Sequence, residues 1–249
     1  MPIYKKKRLD RLLVDKGLAA TRSRAADLVR LGSVSVDGVT TLKPGAMLAP
    51  DASLAVSAGA SPFVSRGGIK LAAALDAFGL DPKGRIALDI GASTGGFTDV
   101  LLARGATCVF AVDVGRDQLH PKLRQDPRVV VLEATDSRGL DAETLKGPIT
   151  AIVADVSFIS LTKALPVPLR LAAPGAWLVA LVKPQFEAGR ETVGKGGIVR
   201  DSVARAKAVA SVREFIQAQP GWTVFAEMPS AILGGSGNEE VLIGARHGA

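Results

Sequence analysis

Cysteine is almost absent from this chain: Cys108 is the single one in 249 residues. One thiol builds neither a disulfide framework nor a zinc cluster, so the sequence suits a reducing compartment, here expected to be the cytoplasm. Aromatic residues make up only 4%, which leaves Ala, Val, Leu and Gly to fill the interior. Histidine is scarce as well. His120 and His247 stand alone, no His/Cys/carboxylate cluster has ligand spacing, and no metal is expected. The longest apolar stretch, near 165–182, is interrupted by Pro166, Pro168, Arg170 and Pro174, so no membrane span is expected. Met1-Pro-Ile-Tyr-Lys-Lys-Lys-Arg8 is basic but has no apolar segment after it, and it is not expected to be a secretory signal.

Positive charge, in contrast, is in excess. The formal net charge is +7 and the sequence pI about 9.8, which favours a polyanionic partner. Residues 1–57 read as a unit of their own: a helix from Leu9 to Lys16 stopped by Gly17, a second helix capped by Thr21 or Ser23 and ended by Gly32, then short strands at 34–36 and 54–56 around the Asp37-Gly38 turn. Residues 58–64 read as a linker of small residues. From 65 to 249 the pattern opens with a helix to Phe78 and then alternates. Strands are expected at 86–90, 107–112, 128–132, 149–154 and 176–182. Helices are expected near 96–104, 117–124, 141–145 and 161–172. This is an α/β pattern, a parallel sheet with helices on both faces. A long helix at 202–218 and two strands, 223–228 and 240–246, close the chain as an antiparallel pair.

Ligands of such sheets bind beyond the carboxyl ends of the strands, and the polar residues gather there. Ile86-Ala-Leu-Asp-Ile-Gly-Ala-Ser-Thr-Gly-Gly-Phe-Thr98 is a buried strand running through a glycine turn into a helix. It lacks both the G-x-G-x-x-G and the P-loop spacing. It resembles the acidic-x-glycine-x-glycine turn of S-adenosylmethionine enzymes, with Asp89, Gly91 and Gly95; a tight turn without a ligand is the alternative. Asp113 ends the second strand, about 20 residues on, where it can accept hydrogen bonds from both ribose hydroxyls of an adenosine. Asp136 follows the third strand and either meets the adenine edge or caps a turn. Asp155 ends the fourth strand. Lys183 ends the fifth, after an apolar run where a lysine is costly away from the ligand edge. Lys70 lies among the apolar positions of the first helix of this region, where a lysine can also snorkel outward. Glu239 and Glu240 open the last strand, and neighbours on a strand face opposite sides. The glycine-rich loop 184–200 is expected to close over a bound nucleotide.

Arg8-Leu-Asp10, Leu13, Ser23-Arg24, Ala26, Gly32, Val34 and Val36-Asp-Gly38 resemble the S4-like RNA-binding domain. That resemblance implies contacts to RNA by Arg22, Arg24, Arg30 and Lys43, with Lys6, Arg8, Arg66, Arg190 and Lys195 as further basic candidates. Lys70, Asp155, Lys183 and Glu240, with their local sequences, resemble the catalytic tetrad of FtsJ-like ribose 2′-O-methyltransferases. Val64-Ser-Arg-Gly-Gly-Ile-Lys-Leu71, Asp155-Val-Ser-Phe-Ile-Ser-Leu161, Leu181-Val-Lys-Pro-Gln-Phe-Glu187 and Val193-Gly-Lys-Gly-Gly-Ile-Val-Arg-Asp201 narrow this to a resemblance to the TlyA (haemolysin A) family. It implies a Rossmann-like, class I methyltransferase sheet behind a small α+β RNA-binding domain. The implied partner is ribosomal RNA or a ribosomal subunit, with no membrane, and the implied reaction is 2′-O-methylation of cytidine. The cofactor implied is S-adenosylmethionine, held by Asp89, Gly91, Ala92, Ser93, Thr94, Gly95, Gly96 and Phe97 in the turn and by Asp113, Val114, Asp136 and Asp155 beyond it. An ordinary lysine is protonated near neutrality, and burial or a second ammonium is what makes one basic. Lys183 is assigned as the general base, Lys70 as its charged neighbour, and Asp155 and Glu240 as the groups that orient them. A membrane-active haemolysin and a catalytically silent assembly factor are the competing readings.

Overall fold

The computed structural model describes residues 6–19, 21–57 and 63–248, without the side chains of Ser23 and Arg190. Most of the expected linker, 58–62, lies outside the described residues. The chain divides into two compact units, Met1–Arg66 and Gly67–Ala249.

In the first unit β1 (Lys7–Arg8) leads into α1 (Leu9–Asp15) and α2 (Arg22–Arg30), followed by β2 (Val34–Val36), β3 (Val39–Thr40), β4 (Met47–Leu48) and β5 (Leu54–Val56). β2 lies between β3 and β5, antiparallel to both, and β1 pairs with β4. The cap of α2 is Thr21, whose hydroxyl accepts the Arg24 N–H at 3.2 Å, satisfying one of the unpaired donors of the first turn. Leu9, Leu13, Ala25, Leu28, Val29 and Val34 form the core of this unit.

The second unit runs α3 (Gly67–Phe78), β6 (Ile86–Ile90), α4 (Gly96–Ala103), β7 (Cys108–Val112), α5 (Pro121–Arg124), β8 (Val129–Leu132) and β9 (Ile149–Ala154). It continues with α6 (Leu161–Ala164), α7 (Pro166–Arg170), β10 (Ala172–Val182), α8 (Pro184–Glu187), α9 (Ser202–Gln217), β11 (Trp222–Pro229) and β12 (Val241–His247). The sheet order is β11-β12-β10-β9-β6-β7-β8. The five strands from β6 to β10 are parallel, and β12 is inserted antiparallel between β10 and β11. Central strands covered on both faces are apolar throughout; Leu88, Phe110, Ile152, Leu178 and Ile243 are all buried in one cluster.

Three helices differ from expectation. The segment 117–124 is helical only at Pro121–Arg124, where the His120 ring accepts the Lys122 N–H at 3.2 Å. Residues 141–145 form a turn because Asp141 accepts from both the N–H and the hydroxyl of Thr144 at 2.7 Å, a local bond that competes with a helix. The segment 161–172 is two short helices, since Pro166 has no N–H to continue the first and suits the start of the second. β10 then begins at Ala172, earlier than expected.

The loop 184–200 is not structureless. It holds α8, a 3-10 turn at Arg190–Thr192, and an anchored end. Asn238, 1% exposed, accepts the Val199 N–H at 2.9 Å and donates its amide to the Gly197 carbonyl at 2.7 Å. Among the described residues no helix is long and apolar enough to cross a membrane. Replacing Asn238 with Ala leaves a buried N–H without an acceptor, so urea unfolding is expected to show a loss of about 1–3 kcal/mol. An unchanged midpoint would contradict the anchoring role.

Candidate active site

The strand ends bring the expected residues to one edge. Val182 of β10 faces Val241 of β12, so the next residues outward, Lys183 and Glu240, leave neighbouring strands at the same edge. Asp155 follows β9, its N–H donating to the Ile90 carbonyl at the end of β6 at 2.9 Å. Lys183 Nζ lies 2.6 Å from Asp155 Oδ1 and donates to the Ser157 hydroxyl at 2.8 Å. Lys70 reaches in from α3 and pairs with Glu240, with side-chain exposures of 7% and 2%. It does not snorkel outward; the carboxylate of Glu240 is what makes its burial tolerable. Glu239 faces the other way, two-thirds exposed, and pairs with Arg205 at 3.0 Å.

Beside these pairs a cleft of about 580 Å³ opens beyond the ends of β6, β7 and β9. Gly91, Ser93, Asp113, Val114, Asp136 and Asp155, all anticipated, line it. Asp113 is braced by two backbone donors: Oδ2 accepts the Ser93 N–H at 2.8 Å and Oδ1 the Gly115 N–H at 2.7 Å. A carboxylate has about four acceptor positions, so two remain for hydroxyl groups. Asp136 accepts the N–H of Arg138 at 2.9 Å and grips its guanidinium at 2.6 Å. That contact holds its carboxyl down at about 2, so it caps a turn and lines the cleft at once.

Other anticipated residues support the turn from behind. Ala92, Thr94, Gly95, Gly96 and Phe97 do not line the cleft. Gly91 (φ +81°) has to be glycine because a Cβ would stand 2.7 Å from the Asp155 carbonyl oxygen. Gly95 (φ +93°) makes room for Leu119 and Leu123 of the chain itself.

Several lining residues were missed, among them Gln118, Thr135, Ser157 and Phe158. Phe158 is 93% exposed with φ +67° and packs against Phe186, ring centroids 5.2 Å apart. A left-handed backbone at a bulky residue is rare and clusters at functional sites. Glu133 was missed too. Burial opposes its charge, but Arg124 and the backbone donors of Leu119, Asp117 and Gln118 outweigh this and hold it at about 2. It thereby fixes the loop that carries Gln118. Nothing in a single sequence marks such a carboxylate, because three of its partners are backbone groups and Arg124 stands nine residues away.

The basic candidates of the first unit divide into two groups. Arg8 and Arg22 hold the buried Asp10, whose carboxyl lies below its usual range, chiefly through Arg8. Arg66 and Arg30 pair with Asp27 at 3.0 and 3.6 Å, and Arg24 donates to the Phe63 carbonyl. Lys6 and Lys43 are exposed and pair with no carboxylate among the described residues, and the same holds for Lys195 in the second unit. The side chain of Arg190 lies outside the described structure.

Residues 63–247 match the family model described as FtsJ-like methyltransferase, and residues 7–53 match the S4 domain. The chain is 46% identical over 240 residues to the 16S/23S rRNA (cytidine-2′-O)-methyltransferase TlyA of Mycobacterium tuberculosis, spanning 96% of this chain and 89% of that protein. It is 40% identical to Hemolysin A of Brachyspira hyodysenteriae, spanning 94% and 98% of the two. A solved protein of Streptococcus thermophilus, 42% identical, superposes with a TM-score of 0.77 over 98% of this chain and 89% of that one.

Asp89 makes this edge sensitive to pH. It is fully buried beneath the turn, accepts the Thr98 hydroxyl at 2.6 Å through Oδ2, and leaves Oδ1 without a donor among the described residues. Burial, reinforced by the nearby Asp155 and Asp113 and opposed by Thr98, pushes its carboxyl up to about 7. At Asp89 the folded protein therefore holds a proton that the unfolded chain releases near pH 4, and the contribution of this residue to stability falls as pH rises from about 4 to about 7. Asp89→Asn removes that slope, and at pH 8 its advantage over wild type is expected to be on the order of 3 kcal/mol. Parallel pH profiles of the two proteins in urea melts would contradict this.

Proposed function

The chain belongs to the FtsJ-like methyltransferase family, and on that premise we propose that it carries a methyl group from S-adenosylmethionine to a ribose 2′-hydroxyl of ribosomal RNA, on a cytidine. The observation that carries this reading is the pairing of Lys183 with Asp155 and of Lys70 with Glu240 at the sheet edge beside the cleft. An enzyme that methylates a hydroxyl needs a base for its proton, and lysine tuned by its surroundings is a known kind of base.

S-adenosylmethionine is the methyl donor of this enzyme, and the residues present fit it. The cleft falls within the ~300–1,000 Å³ of small-molecule sites. Asp113 keeps free acceptor positions for ribose hydroxyls, Val114 and Ile159 offer apolar surface to a purine, and Asp136 and Ser137 line the cleft farther along. When bound, the donor supplies a methyl group already activated on a sulfonium.

The chain's own residues do the rest. Lys183 Nζ accepts the hydroxyl proton as the ribose oxygen takes the methyl group. Asp155 keeps Lys183 at the cleft and balances the charge that the proton brings. The Lys70–Glu240 pair places a second fixed cation and anion at the same edge, where low exposure strengthens their field. Phe158 offers an exposed ring on which the target base can stack once it leaves its neighbours. The S4 domain brings the RNA, with Lys6 and Lys43 of the first unit and Lys195 of the second available to phosphates; such contacts give affinity and salt dependence rather than sequence choice.

The test incubates labelled donor with purified ribosomal subunits. Wild type is expected to transfer label to rRNA, and Lys183→Ala to lose on the order of a hundredfold or more in rate while still binding the donor. Transfer by Lys183→Ala at the wild-type rate, or none by wild type, would overturn the assignment.

A further inference from the structure

Lys183 is held by two partners of different character. Asp155 Oδ1 stands 2.6 Å from Nζ as an ion pair, and this carboxylate oxygen accepts no hydrogen bond among the described residues. It contributes charge, which has no direction. Ser157 Oγ accepts an aligned hydrogen bond at 2.8 Å, the one such bond of Lys183 among the described residues. Ser157 is exposed, lines the cleft, and makes no other side-chain hydrogen bond among the described residues, so neither the core nor a turn accounts for it.

We propose that Ser157 is the positioning residue of the base: its hydroxyl fixes the rotation of the Lys183 amine so that the lone pair faces the ribose hydroxyl. This rests on the reading of Lys183 as the base. A protonated lysine has three N–H donors. The neutral amine that acts as base has two, and its lone pair takes the third position. Rotation about the Cε–Nζ bond offers three staggered orientations, and only one of them aims the lone pair at the substrate. With one N–H directed to Ser157 and the second drawn toward the charge of Asp155, that orientation is selected before substrate arrives.

The surroundings hold Ser157 where this requires it. The residue after it, Phe158, has the left-handed φ of +67°. Beyond that, Glu187 accepts from the Ser160 hydroxyl at 2.5 Å and from the Leu161 N–H at 2.8 Å. Glu187 lies on α8, which begins immediately after Lys183. The segment that carries the base therefore also clamps the loop that carries Ser157, and their separation is fixed from both sides.

Single-turnover methyl transfer at saturating RNA and donor tests this. Ser157→Ala is expected to slow transfer roughly tenfold or more, as loss of preorganisation does, and the defect is expected to persist on the alkaline plateau, where protonation no longer limits the rate. Ser157→Thr, which keeps the hydroxyl, is expected to restore the rate. A readout free of donor and RNA is the 15N–1H spectrum of the lysine side chains. The Lys183 signal, assigned by its loss in Lys183→Ala, is expected to broaden in Ser157→Ala and return in Ser157→Thr. A wild-type plateau rate in Ser157→Ala, or a defect shared equally by Ser157→Thr, overturns the inference. If Lys183→Ala is inactive while Ser157→Ala is fully active, only the role of Ser157 fails; if Lys183→Ala is active, the reading of the base fails with it.

Discussion

A lysine ammonium buried at the edge of an apolar sheet is tolerable only with a carboxylate against it, and the pairing of Lys70 with Glu240 is the constraint on which this site depends. Removing one member of such a pair strands the other charge, at a cost of about 3–5 kcal/mol. The two residues come from opposite ends of the second unit, α3 and the start of β12. They meet because β12 enters the sheet antiparallel, between β10 and β11. A parallel last strand would begin at the far edge. The reversal brings its first residues level with the last residues of β9 and β10, where Asp155 and Lys183 already stand.

The same edge shows how one sheet separates two tasks. On the side of β6, β7 and β8 the cleft is walled by carboxylates and backbone donors, suited to a nucleoside. On the side of β10 and β12 lie the two lysine–carboxylate pairs. Asp155, between them, lines the cleft and pairs with Lys183. Asp89 lies beneath, its carboxyl pushed up toward neutrality by burial. It lies beneath the turn and does not itself line the cleft.

Much of this was legible in the sequence, for identifiable reasons. Strand ends are easy to find because apolar runs stop there, and Asp113, Asp155 and Lys183 were located in that way. Resemblance to the tetrad singled out Glu240 from the Glu239-Glu240 pair, and the structure places Glu240 in the interior and Glu239 toward solvent. Roles carried by backbone partners were not legible. Glu133 fixes its loop through backbone donors that no spacing rule encodes, the contact of Ser157 with the Lys183 side chain crosses 26 residues, and the glycine turn gave no sign of which of its residues face outward. Short helices failed where local bonds or proline compete with helix formation, at 141–145 and at Pro166. The basic residues of the first unit were named as RNA contacts by resemblance and charge; that Arg8, Arg22 and Arg66 also pair with Asp10 and Asp27 was not legible, because neither signal reports a residue's local carboxylate partner.

The central claim is that the acceptor is a ribose hydroxyl and not a base. Digesting methylated rRNA to nucleosides and fragmenting them in a mass spectrometer reads this directly. The account predicts the added methyl group on the sugar fragment of cytidine. A methyl group retained on the base fragment would contradict it, whatever the rate of transfer.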